Sequence, residues 1–193
     1  MRKERIGFAM CGSFCTHGAV LEALRELTER YETVIPIVSE TVSMTDTRFG
    51  GAEELMESLD QMTGKEPLCD IPSVEPIGPK ALLDVLVIAP ATGNTLAKLA
   101  AGITDTAVTM AAKAHLRNGR PVVVALASND GLSAGARNIG ELLVRRHYYL
   151  EHCRSMRQRN GYGFFRIKTT EMSFTFVPVG PVKINPFTDF RAW

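Results

Sequence analysis

The segment at residues 84–116 constrains the fold of this chain more than any other part of it. It begins with an apolar, β-branched run at 85–89, which is too short to span a membrane and suits a strand buried on both faces of a parallel sheet. Pro90 is expected to end the strand, because proline has no amide hydrogen to give to a central ladder. A small polar turn and a helical pattern follow, and Thr92 is the predicted N-cap of that helix. The segment therefore predicts a strand, a polar turn and a helix, and open α/β sheets bind ligands at such turns.

Strands and helices are predicted to alternate along the rest of the chain. The remaining strands are expected at 5–10, 33–38 and 121–127 with a last one starting within 146–150, and the helices at 20–27, 52–62, 96–103, 108–116 and 135–144. Pro36 indicates an irregular or edge position for the second strand. Residues 65–80 contain four prolines and predict a loop with at most a short strand. The alternation favours a doubly wound α/β fold, with an open, mainly parallel sheet and helices on both faces.

Composition narrows the class of protein further. The 193 residues suffice for one domain with a substantial core and an appendage. With 22 basic and 21 acidic residues, the charge balance favours neither nucleic acid nor a membrane surface as a partner. No run approaches the roughly 20 apolar residues of a membrane span, and the start lacks the pattern of a signal peptide, so a cytosolic protein is expected. Free thiols are expected for the four cysteines, which lack zinc-type or paired spacing: Cys11, Cys15, Cys69 and Cys153.

Four polar turns are predicted to share one edge of the sheet, because each follows the carboxyl end of a strand. These turns are Gly12-Ser13, Ser39 to Thr41, Thr92 to Thr95, and Ser128-Asn129. Small hydroxyls, side-chain amides and free backbone amides suit a neutral or anionic ligand such as a phosphate. The sequence implies no metal, because it has no cluster of His, Cys and carboxylate residues at ligand spacing. The first turn also lacks the GxGxxG pattern of dinucleotide-binding proteins.

Single residues near these turns allow two interpretations each. Asn94 is the strongest candidate for ligand binding, with turn formation as the alternative. His17 either faces the ligand or is solvated at the start of a helix. Asp46 and Arg48 lie in a loop, where Arg48 either grips a carboxylate or is a solvated charge. Thr104-Asp105 is expected to cap the second helix of the central segment, or Asp105 braces the neighbouring turn.

Four residues on or after that second helix are expected to be ordinary surface groups. His115 is predicted to be partly exposed, and a solvated helix face is predicted for Lys113, Arg117 and Arg120.

Several motifs, in order and spacing, resemble one known family. The signature PATGNTLAKLAAGITD at 90–105 resembles that of the flavoproteins, which include flavin-dependent cysteine decarboxylases and flavin prenyltransferases. The motifs GFAMCGSFCTHGAV at 7–20, TDTRFG at 45–50 and EPIGPK at 75–80 are more similar to one branch of the family, the B subunits of dipicolinate synthases. The resemblance covers residues 1–150 and implies a three-layer, Rossmann-like flavoprotein fold for them.

The resemblance also implies an activity. Members of this branch act with an A subunit that carries a nucleotide-binding domain, and the pair oxidises a dihydrodipicolinate-type precursor to dipicolinic acid in the mother cell of a sporulating bacterium. Flavin mononucleotide (FMN) is the implied cofactor, with a vacant pocket as the alternative, and the nicotinamide nucleotide is expected on the partner. The implied cofactor-binding residues are Gly12, Ser13, Thr16, Ser39, Thr41, Thr92, Gly93, Asn94, Thr95, Ser128 and Asn129. A homo-oligomer is expected, as in relatives.

The oxidation also needs cations for two substrate carboxylates. Position in the sequence alone suggests Arg48, Lys80 and Lys98 for this role, and no catalytic base is identified.

Two departures from the family pattern leave alternatives open. The decarboxylases use a catalytic histidine after the second strand, and residues 39–80 contain none, which disfavours cysteine decarboxylation. Residues 151–193 do not resemble the usual closing helix, and their β-like runs at 164–168 and 174–179 suggest a divergent segment or β-hairpin appendage. The alternatives are a stand-alone flavin-dependent decarboxylase or prenyltransferase, and a non-catalytic assembly subunit with a vestigial pocket.

Overall fold

A computed structural model describes residues 1–131 and 133–152 of the chain. Its strands are β1 (Arg2–Met10), β2 (Tyr31–Val38), β3 (Val85–Ala91), β4 (Val122–Leu126) and β5 (Tyr148–His152). Its α-helices are α1 (His17–Arg30), α2 (Glu40–Met44), α3 (Ala52–Thr63), α4 (Ile71–Val74), α5 (Gly93–Ala101), α6 (Ala107–Leu116) and α7 (Ala136–Leu143). Two short 3-10 helices lie at Phe14–Thr16 and Glu75–Ile77.

The strands form one open, five-stranded parallel sheet in the order β2-β1-β3-β4-β5. The chain first runs from β1 outwards to β2, and then returns past β1 to build the other half of the sheet. This confirms the predicted doubly wound α/β fold. Pro36 lies in β2, which is an edge strand, as its sequence indicated.

Helices cover both faces of the sheet and separate its core into two layers. On one face α1 and α3 contribute Val20, Leu24 and Leu59, all buried against the strands. On the other face α5 and α6 contribute Leu96 and Val108, which are fully buried. Since successive strand residues point to opposite faces, a sheet covered in this way needs strands that are apolar throughout. All seven residues of β3 are accordingly buried.

The central strand β3 does not end at Pro90, as the sequence had predicted. The Ala89–Pro90 peptide bond is cis, and the strand continues to Ala91. The Pro90 carbonyl accepts a hydrogen bond from the amide of Cys11 at 3.1 Å. The pairing with β4 shifts register here and resumes between Ala91 and Leu126. The prediction was wrong because, in this irregular part of the sheet, Pro90 takes part through its carbonyl oxygen, which is a hydrogen-bond acceptor, and its missing N–H is not needed.

Two further segments are more helical than predicted. Residues after Ser39 form the short helix α2 instead of the predicted polar turn. In 65–80 the structure has α4 and a 3-10 helix, with a single bridge between Ile37 and Leu68. Asp70 begins α4 by accepting a hydrogen bond from the Ser73 amide at 2.8 Å, and Pro72 fits the first turn of a helix.

The described residues end with β5, so most of the predicted C-terminal segment, 153–193, lies outside them, together with Cys153. Cys11, Cys15 and Cys69 are free, which confirms the expectation for these three thiols.

An ion-pair cluster joins three strands at the amino edge of the sheet. The Asp84 carboxylate accepts hydrogen bonds from the backbone amide and guanidinium of Arg5 at 2.8–3.0 Å. Arg120, before β4, lies 2.9 Å from the same carboxylate and also contacts the Leu83 carbonyl. The Arg5 hydrogen bond holds the pKa of Asp84 below its usual value. Arg120 was predicted to be solvated, and that prediction is wrong.

His115, on α6, is fully buried, so the prediction of a partly exposed residue was also wrong. Its Nε2 lies 3.0 Å from the Pro121 carbonyl, which requires a proton on that nitrogen, and its Nδ1 has no hydrogen-bond partner among the described residues. Burial lowers the pKa of His115 from 6.5 to about 4. The side chain is therefore a neutral part of the core at neutral pH.

This burial predicts a pH-dependent stability. As pH falls from 6.5 to about 4, His115 becomes protonated in the unfolded chain but stays neutral in the folded chain. Protonation therefore favours the unfolded state, and the free energy of unfolding should fall by up to about 3 kcal/mol. We expect His115→Gln, which keeps a donor for Pro121 and does not titrate, to flatten this part of the profile. Urea unfolding at several pH values measures it. The control Val108→Ala should lower stability equally at every pH, and a wild-type profile that is flat between pH 6.5 and 4 would contradict the account.

Candidate functional site

The polar turns meet where β1 and β3 lie side by side. After β1 the chain crosses one face of the sheet in α1, and after β3 it crosses the opposite face in α5 and α6. The connections therefore diverge and leave a crevice at the carboxyl ends of these two strands. Such a switch point is the usual ligand site of an open α/β sheet.

A pocket of about 280 Å³ occupies this crevice. It is lined by Cys11, Gly12, Ser39, Thr41, Thr92, Asn94, Thr95, Lys98 and Thr106. Residues from the first three predicted turns are thus brought together on one cavity, with Lys98 beside them. Sequence analysis missed Cys11 and Thr106.

The start of α5 forms one wall of the pocket. The Thr92 hydroxyl accepts a hydrogen bond from the Thr95 amide at 3.1 Å and lies 3.0 Å from the Thr95 hydroxyl, which confirms Thr92 as the N-cap. Asn94 is exposed, and no hydrogen bond is found for its side chain within the described part of the chain. Lys98 follows Asn94 by four residues and Thr95 by three, so the three side chains share one face of the helix.

The first turn is held by its own hydrogen bonds. Ser13 has a φ of +66°, a left-handed conformation that is uncommon outside glycine. Its hydroxyl donates to the Ala127 carbonyl at 2.9 Å, which ties the turn after β1 to the end of β4. The Thr16 hydroxyl donates to the Ser13 carbonyl at 2.8 Å. Ser13 and Thr16 therefore shape the turn beside the pocket without lining it.

The fourth turn packs closely against the third. A Cβ atom at Gly93 would lie 3.1 Å from the Ser128 hydroxyl, tighter than ordinary contact, so glycine suits this position. The Ser128 hydroxyl accepts a hydrogen bond from the Asp130 amide at 3.2 Å. Asn129 is exposed, and neither it nor Ser128 lines the pocket. The fourth turn therefore adjoins the pocket and supports its rim.

Cys11 contributes an uncharged thiol to the lining of the pocket. Its side chain is buried, and burial raises the pKa of the thiol to about 11, although its hydrogen bond to Thr95 acts in the opposite direction. The group is therefore a thiol rather than a thiolate at neutral pH, which makes it a poor nucleophile. Its place directly before Gly12, at the end of a buried strand, was the signal in the sequence.

His17 neither faces the pocket nor lies in solvent, the two positions considered from the sequence. It is buried, and its Nε2 lies 3.0 Å from the Cys11 carbonyl. Its ring is 5.0 Å from that of Phe14. It thus braces the end of β1 from behind the pocket.

Thr106, and not the predicted Thr104-Asp105, caps α6, and Asp105 makes a different contact. The cap of α6 is Thr106, whose hydroxyl accepts from the Thr109 amide at 3.2 Å. Asp105 instead binds Lys98, with both carboxylate oxygens 2.9 Å from Nζ. The expected capping role is therefore wrong for Asp105, whose carboxylate pairs with a lysine on α5. The Lys98 hydrogen bond lowers the pKa of Asp105.

Two of the three proposed substrate cations do not line the pocket. Arg48 is exposed at the tip of a tight turn, with its guanidinium 4.8 Å from the centre of the Phe49 ring. Asp46 accepts a hydrogen bond from the Ala52 amide at 2.8 Å and fixes the start of α3. Lys80 is exposed and precedes the amino end of β3, at the opposite edge of the sheet.

Within the described ranges, no group of three or more His, Cys, Asp or Glu side chains is arranged to hold a metal ion. In the same ranges, no helix has both the length and the apolarity to cross a membrane.

Comparisons with known proteins identify the family of the chain. A model of the flavoprotein family matches residues 1–185. The chain belongs to the flavoprotein family. It is 42% identical over 149 residues to the B subunit of dipicolinate synthase from Bacillus subtilis, an alignment that covers 77% of this chain and 74% of that protein.

Solved structures of flavoproteins match the fold. The crystal structure of the dipicolinate synthase B subunit from Bacillus halodurans is 41% identical, covers 76% of this chain and 75% of that one, and superposes with a TM-score of 0.68. The FMN-dependent cysteine decarboxylase SpaF is 28% identical, with 77% and 83% covered and a TM-score of 0.59. The predicted resemblance to dipicolinate synthase B subunits is thereby confirmed.

Substitutions at Thr92 and Asn94 should show which of these two pocket residues also stabilises the fold. We expect Thr92→Ala to lower the free energy of unfolding by about 1 kcal/mol, because the N-cap of α5 is lost. Asn94→Ala should change it by less than about 0.5 kcal/mol, because the side chain is exposed and has no hydrogen bond within the described ranges. Urea unfolding measures both, and Thr92→Ser is the control that retains the cap. A destabilisation by Asn94→Ala as large as that by Thr92→Ala would show that Asn94 is a structural residue.

Proposed function

We propose that this chain is the B subunit of a dipicolinate synthase, active with an A subunit. The observation that carries the proposal is the 42% identity to such a protein over 149 residues, which is 77% of this chain. In this role the pair would oxidise a dihydrodipicolinate-type precursor to the aromatic dicarboxylate. Since the relative is one subunit of a synthase, a partner chain is part of the proposal.

FMN is the cofactor that we propose for the pocket. The donors present fit its phosphate and its polar ring atoms, since the lining offers hydroxyls of Ser39, Thr41 and Thr92, the amide of Asn94 and a lysine. Among the described residues, no carboxylate lines the pocket. The nearby carboxylate of Glu40 is engaged by the Ala107 amide, which donates a hydrogen bond to it at 3.0 Å. Backbone amides at the first turn and at the start of α5 would serve the phosphate. A bound flavin would supply a hydride acceptor.

The other cofactor-binding predictions become supporting roles within this proposal. Ser13, Thr16, Gly93 and Ser128 would hold the turns around the flavin, through the hydrogen bonds and close packing that they already make. Asn129 would act at the rim. Among the proposed substrate cations, Lys98 is the one that the fold brings to the pocket.

The cellular setting follows from the same proposal. A chain with this role would work in the mother-cell cytoplasm of a sporulating bacterium, with the nicotinamide nucleotide on the A subunit. A homo-oligomer of this chain is part of the proposal, because a structural relative is described as a protein cage.

The test is dipicolinate formation from an enzymatically generated dihydro precursor. This chain alone, an A subunit alone and the mixture are each assayed with FMN, with a nicotinamide nucleotide, with both and with neither. We expect product at a substantial rate in the mixture and little from either chain alone, because in this proposal the pocket and the nucleotide-binding domain would lie on different chains. Dependence on one nucleotide would identify the hydride acceptor.

Two controls define what would contradict the proposal. Asn94→Ala should lower the rate of the mixture while the complex still assembles in gel filtration, because the residue lines the pocket and its exposed side chain has no hydrogen bond within the described ranges. An unchanged rate would favour a non-catalytic assembly subunit. A yellow, flavin-loaded chain that decarboxylates peptidyl cysteine without a partner would support the alternative of a stand-alone enzyme.

A further inference from the structure

Lys98 is the charged residue among the described side chains that line the pocket. It projects from α5 one helical turn beyond Asn94, into a lining otherwise made of hydroxyls, an amide and a thiol. Its side chain is 22% exposed, so most of its length is enclosed. An ammonium group in such a place attracts an anion, and the pocket volume of about 280 Å³ suits a small molecule.

The loop between α5 and α6 delivers Asp105 to this lysine. Gly102 ends α5 with a φ of +73°, and the Ile103 amide donates to the Lys98 carbonyl at 2.9 Å. The chain thereby folds back over the last turn of the helix, and both oxygens of Asp105 come to lie 2.9 Å from Nζ. The backbone of Lys98 thus anchors the loop that carries the partner of its side chain.

Lys98 is the side-chain partner of Asp105 within the described ranges. The cap of α6 is supplied by Thr106, which leaves the neighbouring carboxylate available for Lys98. At 55% exposure the Asp105 side chain keeps much of its hydration, whereas Lys98 is mostly enclosed. The pair therefore joins a hydrated carboxylate to the ammonium of a lysine whose side chain lines the pocket.

Lysine needs such an anchor because its stem is flexible. A free lysine side chain has high rotamer entropy, and its head group extends to water where it can. The ammonium has three N–H donors. The two oxygens of one carboxylate engage at most two of them, so at least one donor remains for a ligand in the pocket.

We propose that Lys98 binds a carboxylate of the substrate and that Asp105 is the positioning residue that holds the ammonium towards the pocket. The inference rests on the proposed function for the identity of the ligand, a pyridine dicarboxylate. It gives Asp105 a role in affinity, through Lys98, without contact between Asp105 and the ligand.

The same lysine would also suit a phosphate, so the experiment must separate two anions. We favour the substrate carboxylate because the glycine-containing turn Gly12-Ser13, at the end of β1, offers a different place for a phosphate. Lys98 instead shares its part of the wall with Thr106, which precedes α6.

The test is the affinity of the chain for dipicolinate, measured by isothermal titration calorimetry, with FMN and riboflavin titrated separately. Lys98→Met should weaken dipicolinate binding by about tenfold or more, because a charge-assisted hydrogen bond is lost. Asp105→Asn should weaken it by a smaller factor, about threefold to tenfold, and Asp105→Glu should recover most of the affinity. Lys113→Met, at an exposed lysine on α6, is the matched control and should bind as the wild type does.

With the partner chain present, Asp105→Asn should raise KM for the dihydro precursor and leave kcat within about twofold. A merely structural role would lower the melting temperature and reduce kcat together, without rescue by Asp105→Glu.

Several results would overturn the inference. Tighter or unchanged dipicolinate binding in Asp105→Asn would show that Asp105 competes for Lys98 or is irrelevant to it. A loss of FMN affinity in Lys98→Met, with riboflavin and dipicolinate unaffected, would assign Lys98 to the phosphate. Absence of dipicolinate binding to the wild type, alone and with its partner, would also refute it. These failures are distinct from failure of the proposed function. If the mixture of the two chains forms dipicolinate and the Lys98→Met variant binds dipicolinate as tightly as the wild type, this inference alone is refuted.

Discussion

The adjacency of β1 and β3 is the constraint on which the rest of this structure depends. The connection after β1 covers one face of the sheet and that after β3 covers the other, so the two strands end in an uncovered crevice. Parallel pairing brings the polar turns that follow the strands to the same edge. The pocket is therefore a consequence of topology, and its chemistry is set by the few residues that follow each strand.

Hydrogen bonds within the fold determine which of these polar residues remain available. Ser13 and Thr16 already donate to carbonyls, and Thr92 already caps α5. Asn94 and Lys98 sit on a helix whose end is fixed by those contacts, and they project into the cavity. Hydroxyls that already make hydrogen bonds within the protein thus hold the pocket in shape, and a small number of other groups remain available to bind a ligand. A site preorganised in this way loses less conformational entropy on binding.

Local patterns made much of this predictable from the sequence. Apolar runs marked the strands, and the polar residues after them marked the edge at which the pocket lies, because both features depend on neighbours in the chain. The strand through Pro90 was missed, since the propensity of proline was outweighed by a shifted register that uses only its carbonyl. Residues 65–80 were predicted as a loop because of their four prolines, and Asp70 was not recognised as the N-cap of α4.

Long-range contacts account for the remaining errors. His115 and Arg120 have the sequence context of a surface helix, and only packing against the ends of neighbouring strands buries one and pairs the other. The thiol of Cys11 belongs to the pocket because β1 and β3 adjoin; its place directly before Gly12 indicated only that it lies at the end of a strand. Lys98 and Asp105 are seven residues apart, and their pairing could not be predicted without knowing the turn at Gly102, which brings them together.

The most direct test of the account is a map of where ligands bind. Backbone amide NMR signals of the labelled chain would be followed during titration with FMN and then with dipicolinate. The account predicts that the shifted signals belong to the turns after β1, β2 and β3 and to the start of α5, with Lys98 among them. Shifts concentrated at the opposite edge, around Lys80 and His115, or no saturable shifts with either ligand, would contradict it.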